Sequence, residues 1–180
     1  MKLIIGLGNK GEDYKETRHN VGFMTVEKVF EKLGKTKKFS LDKKFESEVV
    51  KIGDLMLVKP QKFMNNSGRA VRKIMDYYKM ELGDIVVIHD DLDIKMGEYK
   101  IQRGVGPKIH NGLNSVEQTL GEKDFLRVRI GVDNRQQGTF YGAGADYVLA
   151  KLSSGEKKLL DEVIDRICEE LAVTFGLKIK

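Results

Sequence analysis

The order of apolar and polar positions divides the chain into alternating strand-like and helix-like segments. Lys2 to Leu7 is a short apolar run ended by Gly8-Asn9, the pattern of a buried strand. From Asn20 to Leu33 the apolar positions Val21, Met24, Val26, Val29, Phe30 and Leu33 fall at helical spacing, and Gly34 stops them. Phe45 to Ile52 and Leu55 to Val58 flank Gly53-Asp54, a two-residue hairpin signal. Ser67 opens a second helix through Ala70, Val71, Ile74, Met75 and Tyr78. Asp84 to His89 reads as another buried strand and Tyr99 to Arg103 as a further candidate. Leu113 to Leu120 predicts a short helix, and Leu126 to Val132 alternates as a strand. A last helix over Gly155 to Phe175 puts Leu159, Leu160, Val163, Ile164, Ile167, Leu171 and Phe175 on one stripe and acidic residues on the other. Strands interleaved with helices, plus one hairpin, predict an α/β fold. We expect a single domain over residues 1–180, a twisted mixed β-sheet with helices on both faces.

Composition removes several classes of protein. Of 180 residues, 41% are hydrophobic and 33% charged, which suits a globular chain and not a disordered one. Apolar runs such as Ile85 to Ile88 fall far short of the ~20 residues that span a bilayer. The apolar start Leu3-Ile4-Ile5 ends before the ~7–15 residues of a signal-peptide core. A single cysteine, Cys168, excludes an internal disulfide and a thiolate metal pair, and it lies beside core positions of the last helix. The net charge of +5 is uneven. Residues 1–90 carry all of it, and seven lysines between Lys28 and Lys44 face only Glu31 and Asp42. A solvated surface and a patch that steers polyanions both fit that stretch.

Candidate chemistry collects where three strand-like runs end. The first ends at Asn9, the second leads to Phe63-Met64-Asn65, and the third ends at His89-Asp90-Asp91. In open α/β sheets ligands bind outside the carboxyl ends of strands, so three polar termini suggest one shared site. Two histidines, His19 and His110, each stand at the start of a helix, where an imidazole can reach a carboxylate. Three readings compete. Gly6-Leu7-Gly8-Asn9-Lys10-Gly11 fits the dinucleotide fingerprint, but the polar stretch Glu12 to Arg18 supplies only Tyr14 as an apolar face. Asp90-Asp91-Leu92-Asp93 offers carboxylates to Mg²⁺, without the spacing or terminal Glu of a calcium loop. The third reading is metal-free hydrolysis, with a histidine deprotonating water, a carboxylate behind it, and asparagine amides on the oxyanion. Such an amide contributes roughly 2.7–4 kcal/mol in a preorganised site. With no serine elbow and no exposed cysteine pattern, the attacking group in that reading is water.

An ordered set of motifs then matches a known family. Gly6-Leu7-Gly8-Asn9-x-Gly11, Tyr14, Thr17-Arg18-His19-Asn20-x-Gly22, Phe63-Met64-Asn65-x-Ser67-Gly68, His89-Asp90-Asp91-Leu92-Asp93 and His110-Asn111-Gly112-Leu113 occur in sequence. They are followed by Arg127-x-Arg129-Ile130-Gly131 and Tyr147-Val148-Leu149. The chain resembles bacterial-type peptidyl-tRNA hydrolases nearly end to end. The resemblance implies an esterase that cuts the bond between a peptide and the 3′ ribose of tRNA, needing no metal or other cofactor. It implies that His19 is the catalytic histidine, that Asp90 orients it, and that Asn111 serves the water and oxyanion. It further implies that Asn9 and Asn65 position substrate, and that Tyr14, Met64 and His110 belong to the substrate cleft. Lys100 and Arg129 are the implied contacts to tRNA phosphate, with Arg103 and Lys108 beside them. A further lysine of the family is replaced by Gln102. The implied partner is the acceptor arm of peptidyl-tRNA, met by a monomer in the cytoplasm and away from membranes. Two departures stand out. Lys10 replaces a common proline, and Gly104 to Ile109 carries Pro107 and Ile109 where the family is Gly-rich, which stiffens a segment the resemblance implies is a mobile gate. A different class of answer, a non-catalytic RNA-binding protein on the same scaffold, has no chemical need for the His19/Asp90 pair.

Overall fold

Leu3, Ile4, Ile5 and Leu7 are fully buried, as a strand flanked on both edges and covered on both faces must be. They lie in or just after β1 (Lys2–Gly6), the centre of a seven-stranded sheet in the computed structural model, which describes residues 1–136 and 144–180. The other strands are β2 (Ser40–Asp42), β3 (Ser47–Ile52), β4 (Leu55–Pro60), β5 (Ile85–Lys95), β6 (Tyr99–Arg103) and β7 (Leu126–Asp133). Their order is β2-β3-β4-β1-β5-β7-β6. The inner four strands run parallel, and antiparallel strands close both edges. The sheet is therefore mixed, as the alternation of elements predicts.

Helices α1 (Val21–Lys32), α2 (Ser67–Tyr78), α3 (Asn111–Leu120), α4 (Gly144–Leu149) and α5 (Ser154–Phe175) cover it. One core joins Val21, Val26 and Val29 of α1 to Leu160, Val163, Ile164 and Ile167 of α5 across one face. The other joins Val71, Ile74 and Met75 of α2 to Leu113 and Val116 of α3. Chain leaving β1 turns to one face and chain leaving β4 to the other, which opens a crevice at the carboxyl ends of the parallel strands.

Glycines fix how closely α1 approaches that crevice. A Cβ on Gly6 would lie 2.2 Å from the carbonyl oxygen of Gly22, and one on Gly22 would lie 2.5 Å from the carbonyls of Ile88 and Leu7. A Cβ on Gly8 would enter the ring of Phe23. Gly6 and Gly8 of the apparent dinucleotide fingerprint thus serve helix–strand packing, and Gly11, at a φ of 110°, opens the turn that follows. Beyond them the chain makes two 3₁₀ turns, Glu12–Tyr14 and Arg18–Asn20, before α1 begins.

Some boundaries differ from expectation. The third buried strand does not end at His89 but continues to Lys95, because β7 pairs with it through Asp90↔Ile130 and Asp91↔Gly131. Leu159 faces outward, so the buried stripe of α5 is narrower than the periodicity suggests, with Phe175 only partly covered. Arg127 and Arg129 are buried although they occupy the polar positions of an alternating strand. The sequence pattern contains no signal for β2 or α4.

Candidate active site

Each polar terminus of the crevice is held by backbone geometry. Asn20 stands just before α1 but does not cap it. Its side chain brackets Asn9 instead: Oδ1 accepts the Asn9 backbone N–H at 2.8 Å, and Nδ2 donates to the Asn9 carbonyl at 2.9 Å. The Asn9 side-chain Oδ1 accepts the backbone N–H of Met64 at 3.0 Å, which ties the end of β1 to the loop after β4. That bond orients the amide, and leaves its NH₂ end for the crevice.

His19 lies in the 3₁₀ turn beside this bracket, with Nδ1 2.7 Å from Oδ1 of Asp90. A carboxylate only accepts, so Nδ1 carries the hydrogen and Nε2 keeps the lone pair. His110 approaches the same oxygen from the other side, with Nε2 at 2.9 Å. His110 is also the N-cap of α3, where Nδ1 accepts the backbone N–H of Leu113 at 3.0 Å. One carboxylate oxygen therefore receives two imidazole N–H groups. Burial alone would raise the Asp90 carboxyl, but the neighbouring His110 and His19 outweigh it and hold the group far below the ordinary carboxylate range. His89 packs edge-on against His110 with ring centroids 5.0 Å apart. Burial, the largest cause, pushes His89 down to about 3. Its Nδ1 donates to the Asp90 carbonyl at 2.8 Å, and its Nε2 is buried without a partner.

The cleft above Asp90 has a volume of about 420 Å³. Asn9, His19, Met64, Asn65, Asp90, His110 and Asn111 all line it, so the structure brings together most of the side chains singled out by sequence. The remaining wall is apolar: Phe63, Leu92, Ile109, Val148 and Leu149, the last two from α4, all named in the sequence motifs or the 104–109 segment but not expected to line the cleft. Arg18, which the Thr17-Arg18-His19-Asn20 motif contains without a role, anchors that wall. Its guanidinium meets Glu156 at 2.6 Å, donates to the carbonyls of Tyr147 and Ala150, and stacks 4.3 Å from the Tyr147 ring centroid.

His19, Asp90 and His110 are the one group with metal-ligand spacing among the described residues, their ligand atoms lying within 4.8 Å of one another. Both facing nitrogens bear hydrogens directed at one oxygen, so a cation would have to displace two hydrogen bonds. The Asp90-Asp91-Asp93 run does not converge either. Asp91 pairs with Arg129 at 2.8 Å and accepts the Asp93 N–H, while Asp93 accepts the backbone N–H of Lys108.

Comparison with known proteins settles the family. A family model described as peptidyl-tRNA hydrolase matches residues 3–179. The chain belongs to the peptidyl-tRNA hydrolase family. It is 43% identical over 183 residues to the peptidyl-tRNA hydrolase of Rhodococcus opacus (strain B4), covering 98% of this chain and 93% of that one. It is 40% identical over 168 residues to that of Limosilactobacillus reuteri (strain DSM 20016), covering 92% and 88%. The crystal structure of the peptidyl-tRNA hydrolase from Acinetobacter baumannii superposes with a TM-score of 0.84 at 31% identity, covering 99% of this chain and 88% of that one.

Other residues expected at the hydrolase's site lie away from the dyad. Tyr14 sits on the first 3₁₀ turn, half-buried, where its carbonyl accepts the Thr17 hydroxyl at 2.8 Å; it is not among the described cleft residues. Lys100 and Arg103 are exposed on β6, and Lys108 is exposed in the loop before α3. Arg129 is only 7% exposed, with Nε on Asp91 and Nη1 on Gln102 at 2.9 Å. Residues 104–109 carry no regular structure; a Cβ on Gly106 would lie 2.6 Å from Arg127 Nη1, and the Lys108 backbone N–H donates to Asp93. The lysine-rich stretch ends around β2, the sheet edge opposite β6. Burial raises the Cys168 thiol to about 12, consistent with an unreactive core residue.

Proposed function

We propose that this peptidyl-tRNA hydrolase cleaves its ester by attack of water, with His19 as the general base. Nε2 of His19 takes a proton from water as the oxygen adds to the ester carbonyl. Asp90, accepting from Nδ1, keeps the tautomer and stabilises the imidazolium that forms. The carbonyl oxygen gains negative charge, to which the amide of Asn111 donates, while Asn9 and Asn65 hold the peptide. Collapse of the tetrahedral adduct breaks the bond to the ribose oxygen. That oxygen recovers the proton from His19, leaving a peptide carboxylic acid and a free tRNA 3′ end. The observation that carries this reading is the 2.7 Å contact between His19 and Asp90 at the floor of the cleft. Exposed Lys100, Arg103 and Lys108 supply positive charge for the acceptor arm, and Arg129 acts beside them. No described helix is long and apolar enough to cross a membrane. A monomer working in the cytoplasm completes the reading.

The test is cleavage of an N-blocked aminoacyl-tRNA by wild type and His19→Ala, with EDTA present. Loss of a positioned base lowers kcat by about 10²–10⁴-fold, and tRNA still binds. Full turnover by His19→Ala overturns the assignment. Loss of wild-type turnover in EDTA turns the reading to a metal, and binding without cleavage by wild type turns it to an RNA-binding protein.

A further inference from the structure

The cleft that holds His19 carries an unusual mouth. Phe63 is 62% exposed and Ile109 is 79% exposed, and both line the cleft, as does the partly exposed Leu149 of α4. No other described segment covers them. Solvated apolar side chains are ordinary when scattered, but these converge on one opening beside reacting groups. Below them, Leu92 and Val148 continue the apolar wall inward.

Charge is missing from the same surface. Among the described lining residues there is no Lys, Arg or Glu, and the one carboxylate, Asp90, is buried and already accepts two imidazoles. The phosphates of a tRNA would find no cation inside. What enters this mouth is the other half of the substrate: the asparagine amides serve its ester and backbone, and its side chains meet the uncharged apolar wall. A Leu or Val side chain seated there leaves water and covers Phe63 and Ile109. A Glu or Lys side chain must either lose hydration without a partner or stay outside.

We propose that Ile109 and Phe63 form an apolar subsite for the peptide, so that the enzyme prefers peptidyl-tRNAs whose last residues are bulky and apolar over those ending in charged residues. The inference rests on the hydrolase reading of the same cleft. Ile109 precedes His110, which binds Asp90, so this subsite adjoins the catalytic groups along the chain as well as in space. Four aliphatic side chains, Leu92, Ile109, Val148 and Leu149, stand beside Phe63 on this wall, whereas a nucleobase platform is built from aromatic faces.

The experiment charges one tRNA with three N-acetyl dipeptides, Leu-Leu, Glu-Glu and Lys-Lys, and compares kcat/KM for wild type, Ile109→Ser and Phe63→Ala. Including both charge signs separates apolar preference from attraction or repulsion by the protein's field. Wild type should favour Leu-Leu over each charged peptide by about tenfold, chiefly through KM, in line with the discrimination a hydrophobic pocket gives. Ile109→Ser or Phe63→Ala should shrink that ratio below about threefold. Equal efficiency on all three esters in wild type overturns the subsite while leaving the hydrolase intact. A ratio unchanged in both variants overturns the residue assignment. A uniform fall on all three esters in Phe63→Ala gives the mouth to the terminal base of tRNA instead. If wild type cleaves none of the esters, the hydrolase reading fails and the subsite falls with it.

Discussion

The backbone N–H of Leu113 lies 3.0 Å from Nδ1 of His110, and this bond decides which nitrogen of that ring carries hydrogen. With Nδ1 accepting, Nε2 must donate to Asp90, so the start of α3 and the Asp90 carboxylate share one imidazole. His110 is therefore both a helix cap and a hydrogen-bond donor to Asp90.

These two roles separate by substitution. His110→Ala loses the cap, costing ~1 kcal/mol of stability, and removes one of two donors from a buried carboxylate. We expect kcat to fall about tenfold, or ~1.4 kcal/mol in barrier. His110→Asn restores an acceptor for the Leu113 N–H, yet its side chain is too short to reach Asp90. Thermal unfolding of His110→Asn should recover towards wild type while kcat stays low. Recovery of both would show that the bond to Asp90 is idle.

His89 sets a pH dependence of stability. Its folded pKa is lowered to about 3, below the ~6.5 of an unfolded histidine. The unfolded chain therefore takes up the proton first as pH falls. The stability held in neutral His89 is complete above about pH 6.5 and is lost at up to ~1.4 kcal/mol per pH unit between there and about 3. Denaturant unfolding of wild type and His89→Phe between pH 5 and 7.5 checks this. The variant should show the flatter profile, and parallel profiles would count against it.

Arg129 and the exposed cations should behave differently. The Asp91 side chain is fully buried against Arg129, so Arg129→Ala leaves an uncompensated charge worth ~3–5 kcal/mol. For a chain of this size that lowers Tm by roughly 10 °C. Lys100→Ala, Arg103→Ala and Lys108→Ala should leave Tm nearly unchanged. Each should reduce the salt slope of tRNA affinity by about 0.7–0.9 if it neutralises one phosphate. Filter binding across a salt series, run beside thermal melts, distinguishes the two behaviours.

Elements with strong periodicity were legible in the sequence: β1, α1, the β3–β4 hairpin, α2 and α5 all fall where their apolar residues place them. The second half of β5 was not, because His89 to Asp93 reads as polar loop and only its pairing with β7 keeps it extended. β2 is three residues long and α4 six, too short to show a period. His19, Asp90, Asn9, Asn65 and Asn111 were each visible as candidates, and they do share one cleft. The bond from His110 to Asp90 spans twenty positions and depends on how α3 meets the sheet, so no local pattern signals it. Alternation suggested solvent for Arg129, but its partner Asp91 lies on a neighbouring strand.

The contact between Gly6 and Gly22 has a bearing on how this protein can change. Where strand and helix meet, the nearest atoms are backbone, and a Cβ on Gly6 would also lie 2.9 Å from a Val26 methyl. Neither glycine can gain a side chain without shifting the first turn of α1, and His19 stands in the 3₁₀ turn that leads into that helix. A larger residue at either position is therefore felt first in the distance between His19 and Asp90.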